Sequence, residues 1–331
     1  MTADSHCYVV GVDLGGTNIV TGVMPTDGSR MVAVRSVPTQ VALGADGVID
    51  RIVTQAEESM AVAMAATGAS REQFVGVGIG APGPLDRQAG VVLIAPNLGW
   101  RDVPLRSRVA EALGIPAALD NDANCATLGE WWVGAARGAR HVLGLTIGTG
   151  IGGGLVVDGG LYHGASDVAG EVGHATIDAN GRRCACGNYG CLEAYASGPA
   201  IAERTREALS AGEASVLREL VDGDLSRLTA QTVYDAAQAG DTLARLIVRE
   251  TASFLGAGVA NLVNVFNPEV VVITGGVTHA GAALFEPLRA EVKRRAFRPA
   301  VEACRIVPGA LPGTAGVVGA IAMFRASTTA A

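Results

Sequence analysis

The fold is decided by the stretch YVVGVDLGGTNIVTGVM, residues 8–24, which predicts a strand, a tight turn and a second strand. β-Branched residues fill both arms and favour extended backbone. Gly15 and Gly16 supply a turn at which backbone amides can approach a phosphate without interference from a Cβ atom. Asp13 then lies at the end of a strand beside that turn. Taken alone, such a hairpin is usually only a turn.

A second copy of the pattern, HVLGLTIGTGIGGGLVV at residues 141–157, favours a phosphate site. Residues 11–15 align with residues 144–148, so the chain contains an internal repeat. Two such hairpins could hold one phosphate chain from both sides. The residues predicted to do so are Gly15, Gly16, Thr17 and Asn18 in the first copy and Gly148, Thr149 and Gly150 in the second. Asp13 aligns with Thr146, so the copies differ in role, and Asp13 is the natural partner for Mg²⁺, which prefers oxygen ligands.

A cysteine-rich segment predicts a metal site. It reads GEVGH at residues 170–174 and, after a spacer, CACGNYGCLE at residues 184–193. Three thiolates and one imidazole, from His174, Cys184, Cys186 and Cys191, complete a tetrahedral zinc shell, which is typical of a structural site. The alternative is a cluster that only oxidises or packs. Glu171 and Glu193 do not fit a closed Cys3His shell, and we expect them to face a polar ligand.

This histidine and cysteine pattern resembles the signature of the ROK family of repressors and sugar kinases, in particular its glucokinase branch. The resemblance covers nearly the whole chain, from Asp13 to about Phe324. It implies ATP-dependent phosphorylation of glucose at the 6-hydroxyl, with N-acetylmannosamine, mannose and fructose as alternative substrates. It also implies sugar contacts from Gly83, Asn97, Glu171, His174 and Glu193.

The run ALDNDANCA, residues 118–126, predicts a short strand that leads into a helix. A polar cluster at such a junction can serve only as an N-cap. Phosphoryl transfer, however, needs a carboxylate that orients the attacking hydroxyl. In the ROK sugar kinases the matching pair binds the sugar and supplies the base, so the resemblance assigns Asn121 to sugar binding and Asp122 to both tasks.

The stretch VVVITGGV, residues 270–277, predicts a buried strand that ends in a diglycine. Gly275 and Gly276 would allow close approach of a nucleoside, and the family places its adenosine contacts here. An ordinary strand turn is the alternative. Residues 49–67, 199–220 and 232–254 predict helices, and small residues at helical spacing in 314–322 predict a tightly packed one.

The whole pattern predicts an α/β fold with two related lobes around a cleft, resembling the actin and hexokinase superfamily with its duplicated, ribonuclease H-like domain. The small lobe would comprise residues 1–120 plus 312–331 and carry the first phosphate hairpin. The large lobe, residues 121–311, would carry the zinc site, the second hairpin and the adenosine site.

Composition and motifs disfavour several classes of protein. The chain has 331 residues, of which 49% are hydrophobic, a net charge of −7 and scattered basic residues, which argues against nucleic-acid binding. The uncharged segment 306–324 contains prolines and glycines, and a loop before a buried helix is preferred to a membrane span. The glycine turns lack the Walker A ending, and no helix pattern follows them as in a dinucleotide site.

We therefore expect a cytoplasmic enzyme that uses ATP, Mg²⁺ and a structural Zn²⁺, without a membrane or nucleic-acid partner and with a homo-oligomeric state, dimer or tetramer. The first seven residues lack the pattern of a signal peptide. The alternative function is a sugar-sensing regulator. It would require a DNA-binding helix-turn-helix before the first hairpin, and only twelve residues precede Asp13.

Overall fold

The structure, a computed structural model, describes residues 7–329. Residues 1–6, which include most of the segment that lacks a signal-peptide pattern, and residues 330–331 of the predicted small lobe lie outside the described part. The strands are β1 Tyr8–Leu14, β2 Asn18–Pro25, β3 Ala33–Pro38, β4 Phe74–Ala81, β5 Leu85–Asp86, β6 Val91–Ala95, β7 Trp100–Val103, β8 Ala117–Asn121, β9 Val142–Ile147, β10 Ile151–Val157, β11 Gly160–Leu161, β12 Val270–Thr274 and β13 Arg305–Pro308. The α-helices are α1 Gly44–Thr67, α2 Leu105–Leu113, α3 Asp122–Trp132, α4 Glu193–Ala196, α5 Gly198–Ser210, α6 Leu217–Leu220, α7 Ala230–Ala239, α8 Thr242–Phe266, α9 Ala282–Arg295, α10 Arg298–Ala303 and α11 Ala315–Thr329.

Two five-stranded sheets share one strand plan. The first has the order β3-β2-β1-β4-β8, and the second has the order β11-β10-β9-β12-β13. Strand β1 pairs in parallel with β4, and β9 pairs in parallel with β12, its counterpart in the second sheet. The repeat read from the two glycine hairpins is therefore a repeat of the whole sheet, and the α/β class with duplicated topology is confirmed. A third, small sheet has the order β5-β6-β7.

The chain forms two compact units. Of the described residues, the first unit comprises 7–140, 154–170 and 309–329, and the second comprises 141–153 and 171–308. The predicted lobes differ from these units, because residues 121–140 and 154–170 belong with the first unit. Residues 121–140, the start of the predicted large lobe, belong to the first unit because α3 packs closely against α11.

Helices cover both faces of the first sheet. Alternate side chains of β1 point to opposite faces, so Val10 and Val12 join the core beneath α1, whereas Val9 packs with α11. This burial on both faces explains why the strand reads as a continuous apolar run. The backbone of α11 comes so close that a Cβ atom on Gly78 would lie 1.9 Å from the carbonyl oxygen of Ala320.

Two predicted helices are wrong in extent. The predicted helix 232–254 is two helices, because Gly240 (φ 105°) ends α7 and the Asp241 side chain caps α8 by accepting a hydrogen bond of 2.8 Å from Ala244 N–H. The predicted helix 199–220 is likewise divided into α5 and α6. Segment 306–324 contains β13 and the buried start of α11, as preferred from the sequence. Helix α8 is long and apolar enough to cross a membrane, but 61% of its most apolar window is buried within the protein, as in a core helix.

Candidate functional site

The first glycine turn is fixed by hydrogen bonds on one side. Gly15 N–H donates to Asn18 O at 2.9 Å, and the buried Thr39 contributes two bonds. Its hydroxyl donates to Gly15 O at 2.7 Å, and its N–H donates to Thr17 O at 2.8 Å. Thr17 and Asn18 are exposed. The turn is therefore held in shape while its tip remains accessible to a ligand.

Two loops of the first unit bring predicted sugar residues close to their neighbours. Asn97 lies on a 3₁₀ turn, Pro96–Leu98, and its Nδ2 lies 3.0 Å from the position of a Cβ on Gly16. Asn121 Nδ2 donates to Gly83 O at 3.5 Å, a long hydrogen bond. The structure thus joins Asn97 to the first glycine turn and Gly83 to the strand end that carries Asn121.

Asn121 and Asp122 form the beginning of α3. Asn121 is the N-cap, and its Oδ1 accepts from Ala123 N–H at 2.9 Å and from Asn124 N–H at 3.2 Å. Asp122 Oδ1 accepts from Ala123 N–H at 2.8 Å. The capping alternative is therefore correct for Asn121, and it does not compete with a ligand-binding role, because capping fixes both side chains at the strand end.

Asp13 lies at the end of β1 against the first turn of α11. A Cβ on Gly316 would lie 2.3 Å from Asp13 Oδ2, so this helix residue leaves just enough room for the carboxylate. Burial and the negative charge of Asp122 raise the pKa of Asp13 to about 7. Two neighbouring carboxyl groups that resist shared ionisation provide the hard oxygen donors that suit a divalent cation.

Asp120 is a fully buried carboxylate near the end of β8. Its Oδ1 accepts from Asn121 N–H at 2.7 Å and from Asn124 Nδ2 at 3.0 Å. Its Oδ2 lies 2.7 Å from His163 Nε2 and 3.0 Å from Arg87 Nε. Burial raises the pKa of Asp120, but hydrogen bonding and the charges of His163 and Arg87 outweigh burial and lower it overall. A carboxylate with so many partners is a poor general base.

The second glycine turn gathers residues of the second unit around Ile151. Glu193, the first residue of α4, accepts from Ile151 N–H at 2.8 Å through Oε2. His174 ends the 3₁₀ turn Val172–His174, and Glu171 is its N-cap. Gly173 of this turn approaches so closely that a Cβ there would lie 2.0 Å from Ile151 O. The turn that contains Gly148, Thr149 and Gly150 therefore lies close to the segments that carry Glu171, His174 and Glu193.

The predicted metal ligands come together. His174, Cys184, Cys186 and Cys191 each offer one ligand atom, and these atoms all lie within 4.8 Å of one another. Cys186 Sγ and Cys191 Sγ are 3.7 Å apart, as are Cys184 Sγ and His174 Nδ1. A tetrahedral zinc with bonds of about 2.3 Å to sulfur requires sulfur separations of about 3.8 Å, so the donor set fits this ion. Burial raises the pKa of the Cys184 thiol to about 12, and a bound cation would reverse this effect.

The diglycine lies next to the second glycine turn. Thr274 pairs with Thr146 across β12 and β9, and their hydroxyl oxygens are 3.2 Å apart. Gly275 has φ 91°, and a Cβ there would lie 2.1 Å from Ile147 O, so Gly275 serves the backbone. At Gly276, in contrast, no atom of the described residues beyond its chain neighbours and its own helical turn lies within 4 Å of the Cβ position. Of the two residues of the diglycine, Gly276 is the one that leaves room for a ligand.

A cavity of about 550 Å³ opens beside these glycines. Its wall includes Gly148, Thr149 and Gly276, together with the start of α5 and one face of α7. Tyr234 also lines it, and the buried Tyr234 hydroxyl has no hydrogen-bond partner within residues 7–329. A cavity of this size with a few polar groups is typical of a small-molecule site.

Comparisons with known proteins agree with this geometry. The model of the ROK family matches residues 9–327. A glucokinase from Halalkalibacterium halodurans is 38% identical over 95% of this chain and 94% of its own length. A xylose repressor from Caldicellulosiruptor bescii is 38% identical over 76% of this chain and 62% of its own length. The crystal structure of a ROK family glucokinase from Streptomyces griseus with glucose and AMPPNP has a TM-score of 0.81 and 36% identity, covering 95% of this chain and 98% of that one.

Proposed function

Because the chain belongs to the ROK family, we propose that it is a glucokinase. It transfers the γ-phosphoryl group of ATP to the 6-hydroxyl of glucose and forms glucose 6-phosphate and ADP. The observation that carries the proposal is the capped Asn121–Asp122 pair beside Asp13, in a chain that matches a glucokinase over nearly its whole length. The similarity to repressors covers a smaller share of those proteins.

Asp122 is proposed as the general base. As the O6 atom of glucose attacks the γ-phosphorus and the bond to ADP breaks, the O6 proton passes to the Asp122 carboxylate. In a loose transition state little bond formation precedes this transfer, so the carboxylate chiefly orients the hydroxyl. Asn121 supports sugar binding through its amide nitrogen, because its amide oxygen is used in capping.

Each unit is proposed to contribute its own set of sugar contacts. Gly83 and Asn97 serve the first unit, and Glu171, His174 and Glu193 serve the second. His174 turns Nδ1 toward the cysteine sulfurs, so Nε2 is the nitrogen available to a sugar hydroxyl. The zinc held by His174, Cys184, Cys186 and Cys191 is structural, since protein atoms fill its four positions.

ATP is the proposed phosphoryl donor. The cavity beside Gly148, Thr149 and Gly276, all in the second unit, takes the nucleoside. Each glycine turn is proposed, on its own unit, to bind phosphate oxygens. Asp13 would support Mg²⁺, which when bound offsets charge on the phosphate oxygens. The Streptomyces griseus enzyme, with its bound AMPPNP, supports this choice of nucleotide.

A coupled assay on the purified protein tests the reaction and the sugar together. Glucose, N-acetylmannosamine, mannose and fructose are each offered with ATP, and glucose is also offered with inorganic polyphosphate. We expect the highest kcat/KM with glucose and ATP. Preference for another hexose would change the substrate, and turnover with polyphosphate alone would change the donor. Absence of turnover with every pair, together with sugar binding by calorimetry, would favour the sugar-sensing regulator.

We also propose a cytoplasmic homo-oligomer, a dimer or a tetramer. Two large apolar side chains of the second unit, Val265 and Phe297, are 73% and 75% exposed. They are near each other, because Phe297 N–H donates to Asn264 Oδ1 at 2.9 Å. Exposed apolar neighbours favour self-association. Light scattering after size-exclusion chromatography, with Phe297→Ser as the comparison, measures the oligomeric state.

A further inference from the structure

The side chain of Asp120 connects three segments of the first unit that are distant in sequence. It follows β4 and the loop with Arg87 by more than thirty residues, and it precedes His163 by 43 residues. Its side chain is fully buried, whereas the side chains of Arg87 and His163 are 31% and 17% exposed. Asp120 is therefore a buried carboxylate, and the partly exposed side chains of Arg87 and His163, from two other segments, contact it.

The two oxygens of Asp120 serve different neighbours. Oδ1 holds the beginning of α3, since it accepts from the N–H of Asn121 and from the side chain of Asn124. Oδ2 contacts His163 and Arg87. His163 and Arg87 thus fix the orientation of the Asp120 carboxylate through Oδ2. Through Oδ1 the carboxylate in turn fixes the position of the Asn121 backbone.

Arg87 and His163 are themselves linked through the segment after β11. Arg87 Nη1 donates to Asp167 Oδ1 at 3.5 Å, and Ala169 N–H closes a turn on His163 O at 3.1 Å. The segment 163–169 is therefore linked to Asp120 twice. His163 contacts Asp120 directly, and Asp167 contacts Arg87, which itself contacts Asp120. An unpaired buried carboxylate is costly, so these contacts are worth keeping for folding alone. These contacts are made by Asp120, which directly precedes Asn121, and this position suggests a further role.

We infer that His163 and Arg87 are positioning residues for phosphoryl transfer, because they orient Asp120 and Asp120 in turn holds the Asn121–Asp122 pair. They touch neither substrate in this role. The inference rests on the proposed function, and it adds two residues that the motif around Asp122 does not contain. Transfer is sensitive to such support, since a misplacement of about 1 Å can lower a rate by about 10²-fold.

The first test compares His163→Ala and His163→Gln with the wild type. Loss of the imidazole should lower kcat by about 10- to 100-fold. The KM for ATP should change little, because His163 contacts Asp120 and Ala169, and neither is proposed to bind the nucleotide. Glutamine can still donate an N–H to Asp120, so His163→Gln should retain most of kcat. Added imidazole should restore His163→Ala with saturation, since it can refill the space and donate to Oδ2.

The second test separates positioning from stability. Arg140→Ala removes an exposed ion pair with Asp158, in the same unit and near the same segment, and it should leave kcat and the KM values unchanged. Arg87→Lys and Arg87→Ala are measured beside it, and the lysine variant should retain more of kcat than the alanine variant. Tm is recorded for every variant. A lower Tm for His163→Ala with wild-type kcat would overturn the inference, as would failure of both glutamine and imidazole to restore activity.

These outcomes are distinct from failure of the proposed function. A wild-type protein that phosphorylates no hexose would refute the glucokinase assignment itself. A wild-type enzyme that is active, with His163 and Arg87 variants equally active, would leave the glucokinase assignment intact and remove the positioning role.

Discussion

Glu193 accepts a hydrogen bond of 2.8 Å from the backbone N–H of Ile151, and this contact joins the cysteine segment to the second glycine turn. The same carboxylate lies 3.7 Å from Cys184 Sγ through its other oxygen. A residue predicted to bind sugar and a turn predicted to bind phosphate are therefore mechanically linked. A substitution that moves either Glu193 or the second glycine turn should therefore alter the KM values of both glucose and ATP.

Two alanine substitutions in this turn should have different effects. A Cβ on Gly150 would lie 2.6 Å from Glu193 Oε2, so Gly150→Ala should displace the carboxylate and raise the KM for glucose about tenfold, as expected for one charge-assisted hydrogen bond. At Gly148, apart from the two chain neighbours, no atom of the part of the chain that the structure describes lies within 4 Å of the Cβ position. Gly148→Ala should keep the wild-type Tm and raise the KM for ATP. Equal KM values for ATP in Gly148→Ala and wild type would show that no phosphate approaches this glycine.

Asp122→Asn should lower kcat by about 10²- to 10⁴-fold, the range of general-base contributions. The amide has the size of the carboxylate and can still accept from Ala123 N–H, so α3 should keep its beginning and glucose should still bind. Steady-state kinetics and calorimetry measure the two quantities. Asp120→Asn is not a substitute test of the base, because four neighbours already occupy Asp120. Near-native kcat in Asp122→Asn would refute the base assignment.

Cys186→Ser should remove bound zinc and lower Tm, because a structural metal contributes its binding free energy to folding. Cys304→Ser is the matched control, since Cys304 is a free thiol outside the four-residue cluster. Cys7 and Cys125 should also be dispensable for metal binding. Elemental analysis and thermal melts of the purified proteins measure the outcome. A wild-type protein without zinc, or a Cys186→Ser variant with unchanged zinc content, would contradict the site.

The contribution of Asp120 to stability should depend on pH in the acid range. Its pKa in the folded protein is lower than the ordinary value of 3.8, so its stabilising effect is complete above that value and is lost as pH falls through the folded pKa. Asp120→Asn should therefore be less stable than wild type at pH 7, by about 1–3 kcal/mol, and the difference should narrow below about pH 4. Urea denaturation at pH 7, 5 and 3 measures it. A constant difference across this range would mean that Asp120 is not held as an anion.

Local sequence patterns predicted the elements that depend on local chemistry. The glycine turns at Gly15 and Gly148 and the strands around them follow from residue type, and the cysteine spacing predicted the cluster at His174. The break between α7 and α8 was missed because a single glycine, Gly240, interrupts an otherwise helical, alanine-rich pattern. The contacts of Asp120 could not be predicted, because nothing near Arg87 or His163 in sequence marks them as partners of a residue so distant along the chain.

The packing of α11 bears on how the protein is made. Val317, Val318 and Ile321 complete the core on one face of the first sheet, yet they follow the entire second unit in chain order. During translation the first sheet must therefore wait, with Val9 and its neighbours uncovered, while the ribosome produces about 150 residues of the second unit. A nascent chain stalled before residue 315 would expose this face to chaperones and proteases, even though the sequence around Asp13 and Asp122 had long been synthesised.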